Sequence, residues 1–175
     1  MRTYCEYVSR APVLGVTLVT GLLLLGVVFP ALPIGGEMLD VRPGYTYDEV
    51  IAALDGYGAQ GRGVYAWASA TLDTVLPVIY VSFLAGLIYR FRPTERLWWL
   101  ASLPVAAGVL DLGENVQIIL MLLHYPDISA GQVARASVFT VSKGYAVTVC
   151  LALAGLLLAR AAGSHVVHRV RGRNR

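Results

Sequence analysis

The chain has 175 residues, of which 57% are hydrophobic and only 14% charged, and its mean hydropathy is +0.63. That balance lies outside the range of soluble domains, and the length suits one compact unit. The net charge of +3 does not mark a nucleic-acid binder, because the basic residues gather at the boundaries of apolar segments.

Four apolar segments reach the roughly 20 residues needed to cross a bilayer. The first covers residues 11–29, with Pro12 in its first turn and Pro30 and Pro33 closing it. Its apolar run exceeds the roughly 7–15 residues of a signal-peptide core and no A-x-A site follows, so it reads as a retained helix. The second covers 64–89, and the third covers 97–123 after Pro93-Thr94. The fourth covers 133–159 and is opened by the capping box Ser129-Ala-Gly-Gln132. The predicted fold is all-α, a polytopic membrane protein forming a four-transmembrane-helix bundle in a single integral membrane domain. Cys5 and Cys150 lack metal-ligand spacing and are not expected to meet, so neither a disulfide nor a zinc site is indicated.

The connection from 31 to 63 carries Glu37, Asp40, Asp48, Glu49 and Asp55. Within it, Thr46-Tyr-Asp-Glu49 is a second capping box, and Tyr47, Val50, Ile51 and Leu54 follow at i, i+3, i+4 and i+7. Residues 46–56 are expected to form a short amphipathic helix on the outer surface, as a lid or as a packed loop helix. Arg2, Arg10, Arg90, Arg92, Arg96, Arg160, Arg169, Arg171, Arg173 and Arg175 flank one set of helix ends, whereas Arg42, Arg62 and Arg135 flank the other. By the positive-inside rule the chain is expected in the cell membrane as a multi-pass protein, with both termini and the basic tail 160–175 cytoplasmic and the 31–63 connection exoplasmic. Tyr89, Trp98 and Trp99 would mark the inner interface, Tyr65 and Trp67 the outer one.

Arginine occurs thirteen times and lysine once, at Lys143, inside the fourth apolar segment. An ionisable group at such depth costs roughly 2.5–3.5 kcal/mol on insertion scales and usually has a partner. A buried lysine, unlike arginine, can give up its proton and serve as a base or nucleophile. At about 1.5 Å of rise per residue, Asp73 and Lys143 fall roughly 12–14 Å below the outer boundary, with Glu114 and Asn115 near the same level and Asp111 closer to the midplane. Asp111, Glu114, Asn115 and Ile118 share one helix face, as do Ser137, Thr140 and Lys143. Arg62, Tyr65, Ser69, Asp73, Pro77 and Tyr80 form a third polar stripe, and the three stripes should converge. Pro77 has no N–H to give the carbonyl four residues earlier, so a kink should free the Asp73 carbonyl oxygen beside its own carboxylate.

Asp73, Asp111 and Glu114 outnumber Lys143, and lone carboxylates in an apolar layer take up a proton or find a cation. Asp73, Asp111, Glu114 and Asn115 are the oxygen donors available to a divalent cation such as magnesium or calcium, while a cationic or hydroxyl-bearing ligand is another solution. A satisfied network that only fixes the bundle's register is a third. The leading expectation is a site for a lipid-like substrate in the outer half of the bundle. Lys143, Asp73 and Glu114 are its candidate catalytic groups, and Asp111, Asn115, Tyr80, Thr140, Arg62 and Tyr65 its candidate binding groups. Membrane lipids are the expected partners, with a homo-oligomer or another membrane protein as further partners and no nucleic acid. A structural assembly protein and a proton- or cation-coupled transporter acting as a homo-oligomer are the alternatives. His165-x-x-His168 could touch a metal, but its arginine-rich surroundings point to anionic lipid. No Walker A loop, HExxH, nucleophile elbow or Rossmann glycine pattern appears.

Overall fold

A computed structural model describes the backbone of residues 1–173 and the side chains of residues 1–163. Among the described residues the chain is all-helical. Helix α1 (Arg2–Val8) precedes α2 (Ala11–Leu23), which continues through a π-helical turn, Leu24–Val28, into a 3-10 turn, Phe29–Ala31. Helices α3 (Tyr47–Ala70) and α4 (Leu72–Phe91) follow, then a 3-10 stretch at Glu95–Ser102, α5 (Leu103–His124) and α6 (Ala130–Arg173). Four segments, Ala11–Ala31, Tyr47–Phe91, Glu95–His124 and Ala130–Gly163, are long and apolar enough to cross a membrane. His165, His168 and the tail arginines beyond Arg160 lie outside the described side chains.

Helix α5 packs against α3, α4 and α6, while α2 leans on α4. Most of the outward surface of α2 is apolar, including exposed Val16, Val19, Leu22 and Leu23. Exposed Val138, Tyr145, Val149 and Leu156 do the same for α6. Apolar side chains turned away from the protein in such numbers suit a hydrocarbon surrounding.

Two apolar clusters close the bundle at its ends. The one beneath the 31–63 connection joins Ile34, Met38, Leu39, Val50, Leu54 and Tyr65 to Ile118, Met121, Val133 and Ala136. At the opposite end, Cys5 meets Leu84, Ile88, Ala101, Cys150 and Leu157. The two cysteines, expected to stay apart, thus share one cluster as free, buried thiols. Helix α1 was not anticipated from the sequence. It is held to α4 by Tyr4, whose hydroxyl lies 2.8 Å from Ser82 Oγ.

The connection helix is capped as its sequence predicts. Thr46 Oγ1 accepts from the Glu49 N–H, and the Glu49 carboxylate accepts from the Thr46 N–H at 2.7 Å. Its apolar stripe does not lie open, because Val50 and Leu54 are fully buried in the cluster beneath the connection. Nor is it a separate element. Gly58, at φ 64 and ψ 177, breaks the helical path in a conformation open to glycine alone, and helical structure resumes directly into the second apolar segment. The break strands the Leu54 carbonyl, which accepts from Arg62 Nη1 at 2.8 Å. Three residues on, Gly61 sits so close to the incoming chain that a Cβ would stand 2.1 Å from the Ile34 carbonyl oxygen.

The second apolar segment is interrupted at Thr71 (φ −116, ψ −78), not at Pro77, which remains inside α4. Thr74 Oγ1 donates to the Ser69 carbonyl at 2.9 Å across this interruption. The distortion therefore surfaces two residues before Asp73.

Candidate functional site

The polar residues of α3, α4, α5 and α6 occupy a layer between the two apolar clusters. Asp73, Asp111, Glu114, Asn115, Thr140 and Ser69 are all buried. The convergence expected from three stripes is found, but the layer divides into a satisfied half and an open half.

Lys143 anchors the satisfied half. Its ammonium group makes an ion pair with Glu114, lies 3.5 Å from Asp111 Oδ1, and donates to the Asp40 carbonyl oxygen at 3.2 Å. The other carboxylate oxygen of Glu114 accepts from Thr140 Oγ1, which lies 3.2 Å from the Tyr45 hydroxyl. Burial pushes the Tyr45 phenol up to about 12, so it stays a neutral hydrogen-bonding group. Backbone contact joins the connection to α6 as well, since the Tyr45 N–H donates to Ser137 Oγ at 3.1 Å. Two carboxylates and a backbone carbonyl thus surround the ammonium group.

Asp40 is the site residue that sequence reasoning missed. Its carboxylate accepts from the Tyr65 hydroxyl at 2.7 Å, and that hydroxyl in turn accepts from the Leu39 N–H at 2.9 Å. The connection between Ile34 and Tyr45 therefore dips into the layer rather than spanning above it. A signal for this was present in Met38-Leu39, an apolar pair inside an otherwise acidic loop, and both are buried.

Asp73 belongs to the open half. The carbonyl oxygen freed by Pro77 accepts from Asn115 Nδ2 at 2.8 Å, so the helix defect is repaired by a neighbouring helix. The carboxylate has no such repair. Asp73 Oδ2, Asn115 Oδ1 and Ser69 Oγ are buried without a hydrogen-bond partner among the protein atoms. Native proteins leave few buried polar atoms unsatisfied, and three of them gather in this part of the layer.

A cavity of 280 Å³ leads to Asp73 from the side of the bundle. Leu25 and Phe29 from the end of α2, Ile34, Met38 and Asp40 from the connection, and Asp73 and Leu76 from α4 line it. Leu25 at its rim is 57% exposed and Val41 65%, so the opening faces outward between α2 and the connection. The lining is apolar except for Asp40, Asp73 and Glu37, and none of it is basic.

The remaining predicted residues fall as follows. Tyr80 lies beside Asp111 on the α4 side, and Tyr65 serves Asp40. Arg62 is not brought to the layer. It caps Leu54 and stacks 4.3 Å over the Tyr125 ring at the outside of the connection cluster. Among the described residues no three acidic, histidine or cysteine side chains converge as metal ligands. The reason is visible in the geometry: Glu114 and Asp111 turn to Lys143, and Asn115 commits its amide to a backbone carbonyl. Comparison with protein-family models, curated proteins and solved structures finds no match.

Proposed function

We propose that this chain is a small integral membrane protein that binds a lipid-like molecule, head first, in the lateral cavity ending at Asp73. The observation that carries the reading is the pairing of an apolar-walled opening with a buried carboxylate oxygen that no protein group satisfies. A π-helical turn at Leu24–Val28, where Leu25 meets the cavity, adds support, because such turns concentrate at functional sites. At 280 Å³ the volume falls just below the roughly 300–1,000 Å³ of ligand sites. It suits a polar head and the first part of a chain, with the rest of the chain lying along α2 in the bilayer.

In this reading Lys143, Glu114 and Thr140 form the frame, and Asp73 is the group that meets the ligand. Arg2, Arg10, Arg90, Arg92 and Arg96 flank the helix ends opposite the 31–63 connection, which supports cytoplasmic termini and a cavity opening to the outer leaflet. Purified protein, washed in neutral detergent and extracted with organic solvent, should release a stoichiometric amphiphile detectable by mass spectrometry. Leu25→Trp, which narrows the cavity mouth without touching the polar layer, should abolish that release. Equal recovery from both proteins would refute the cavity as the binding site.

A further inference from the structure

We infer that the ligand head is a cationic amine, so that the cavity discriminates by charge among amphiphiles of similar tail. The inference rests on the lipid-binding reading above and specifies its ligand chemistry.

The argument is one of charge and hydrogen-bond inventory. Asp40 and Asp73 sit on the cavity wall, Glu37 at its outer part is paired with Arg42 at 3.5 Å, and no lining residue is itself basic. The lysine behind this wall is already engaged by Glu114, Asp111 and the Asp40 carbonyl, so it has no free donor directed at a ligand anion. Asp73 is 3% exposed and its Oδ2 has no partner. A carboxylate oxygen buried on the cavity wall with no protein partner is a receptor for N–H donors. An ammonium head would supply the cation that the carboxylates outnumbering Lys143 lack. A phosphate or carboxylate head would instead meet like charge with no compensating donor, a cost that buried sites do not tolerate. An alcohol head could satisfy one acceptor and leave the charge unmatched.

The test uses full-length protein in neutral maltoside detergent and three probes with the same tail: dodecylammonium, dodecanol and dodecyl phosphate. Competition against radiolabelled dodecylammonium gives the three affinities. Dodecylammonium should bind at least tenfold more tightly than dodecanol, and dodecyl phosphate most weakly. Asp73→Asn should weaken dodecylammonium about tenfold and leave dodecanol within twofold. Leu25→Trp should weaken all three. If dodecanol or dodecyl phosphate binds as tightly as the amine in the unmodified protein, the cationic head is wrong while the lipid-binding reading stands. If Asp73→Asn leaves the amine preference intact, the charge assignment to Asp73 is wrong. Should none of the three bind saturably, both readings fall together.

Discussion

Asn115 donates its side-chain amide to the Asp73 carbonyl oxygen, 2.8 Å away, the acceptor that Pro77 leaves without a helical donor. One helix thus mends a defect that proline creates in another, and the repair fixes how α4 and α5 face each other at the level of the site. It also fixes which way the Asn115 side chain points.

Removing the donor should expose that dependence. Asn115→Ala leaves a buried carbonyl unsatisfied and should cost about 1–3 kcal/mol in thermal or denaturant unfolding in detergent. Pro77→Ala restores an N–H four residues after Asp73, so in the Asn115→Ala background it should recover most of the loss. Strictly additive effects in the double-mutant cycle would show that the two positions are not coupled through this carbonyl.

The ion pair between Lys143 and Glu114 makes a second cycle. Lys143→Met strands the buried carboxylates and should cost roughly 3–5 kcal/mol. Adding Glu114→Gln, which can still accept from Thr140, should return part of that stability. A double variant no more stable than Lys143→Met alone would mean that the pair does not carry the frame.

Gly61 offers a steric test with its own control two residues away. Gly61→Ala places a Cβ 2.1 Å from the Ile34 carbonyl oxygen, a backbone atom that cannot rotate aside. Overpacking of this kind should cost about 1–3 kcal/mol and loosen the connection over the cavity. At Gly63 a Cβ meets nothing within 4 Å, so Gly63→Ala should gain up to about 0.5–1 kcal/mol from helix propensity. Equal melting temperatures for the two variants would contradict the close approach of Ile34.

Orientation can be read by labelling intact cells with a membrane-impermeant maleimide. Cys5 and Cys150 are 0% and 1% exposed, so the native thiols should stay silent. Asp48→Cys should react from outside, and Glu95→Cys only after permeabilisation. The reverse pattern would invert the topology and move the cavity to the inner leaflet.

Much of the polar layer was legible because helical periodicity and rise fix both face and depth. Asp111, Glu114 and Asn115 on one helix, and Thr140 and Lys143 on another, could converge from those two quantities alone. The freed carbonyl of Asp73 was legible for a covalent reason, since proline lacks its N–H wherever it sits. Asp40 was not, because a loop residue has no periodic position, and its depth depends on Gly61 admitting Ile34 against α3. Arg62 was misleading in the opposite sense. Its place on a polar stripe was correct, but the break at Gly58 created a nearer acceptor in Leu54 that periodicity does not record. The role of Lys143 also turned on tertiary geometry. Composition made it conspicuous, and only the folded chain gives it three oxygen partners.

The two apolar clusters that enclose the polar layer differ in when they can be completed. The one beneath the connection needs nothing beyond Ala136, whereas the other unites Cys5 with Cys150 and Leu157. A chain emerging from its N-terminus therefore assembles the connection side of the layer before the opposite wall exists. During synthesis α1 must wait beside α4 while its cluster is still missing the cysteine and leucine of α6. The acids of the layer meet Lys143 only within that interval, so the charge balance of the site is set by the last helix to arrive.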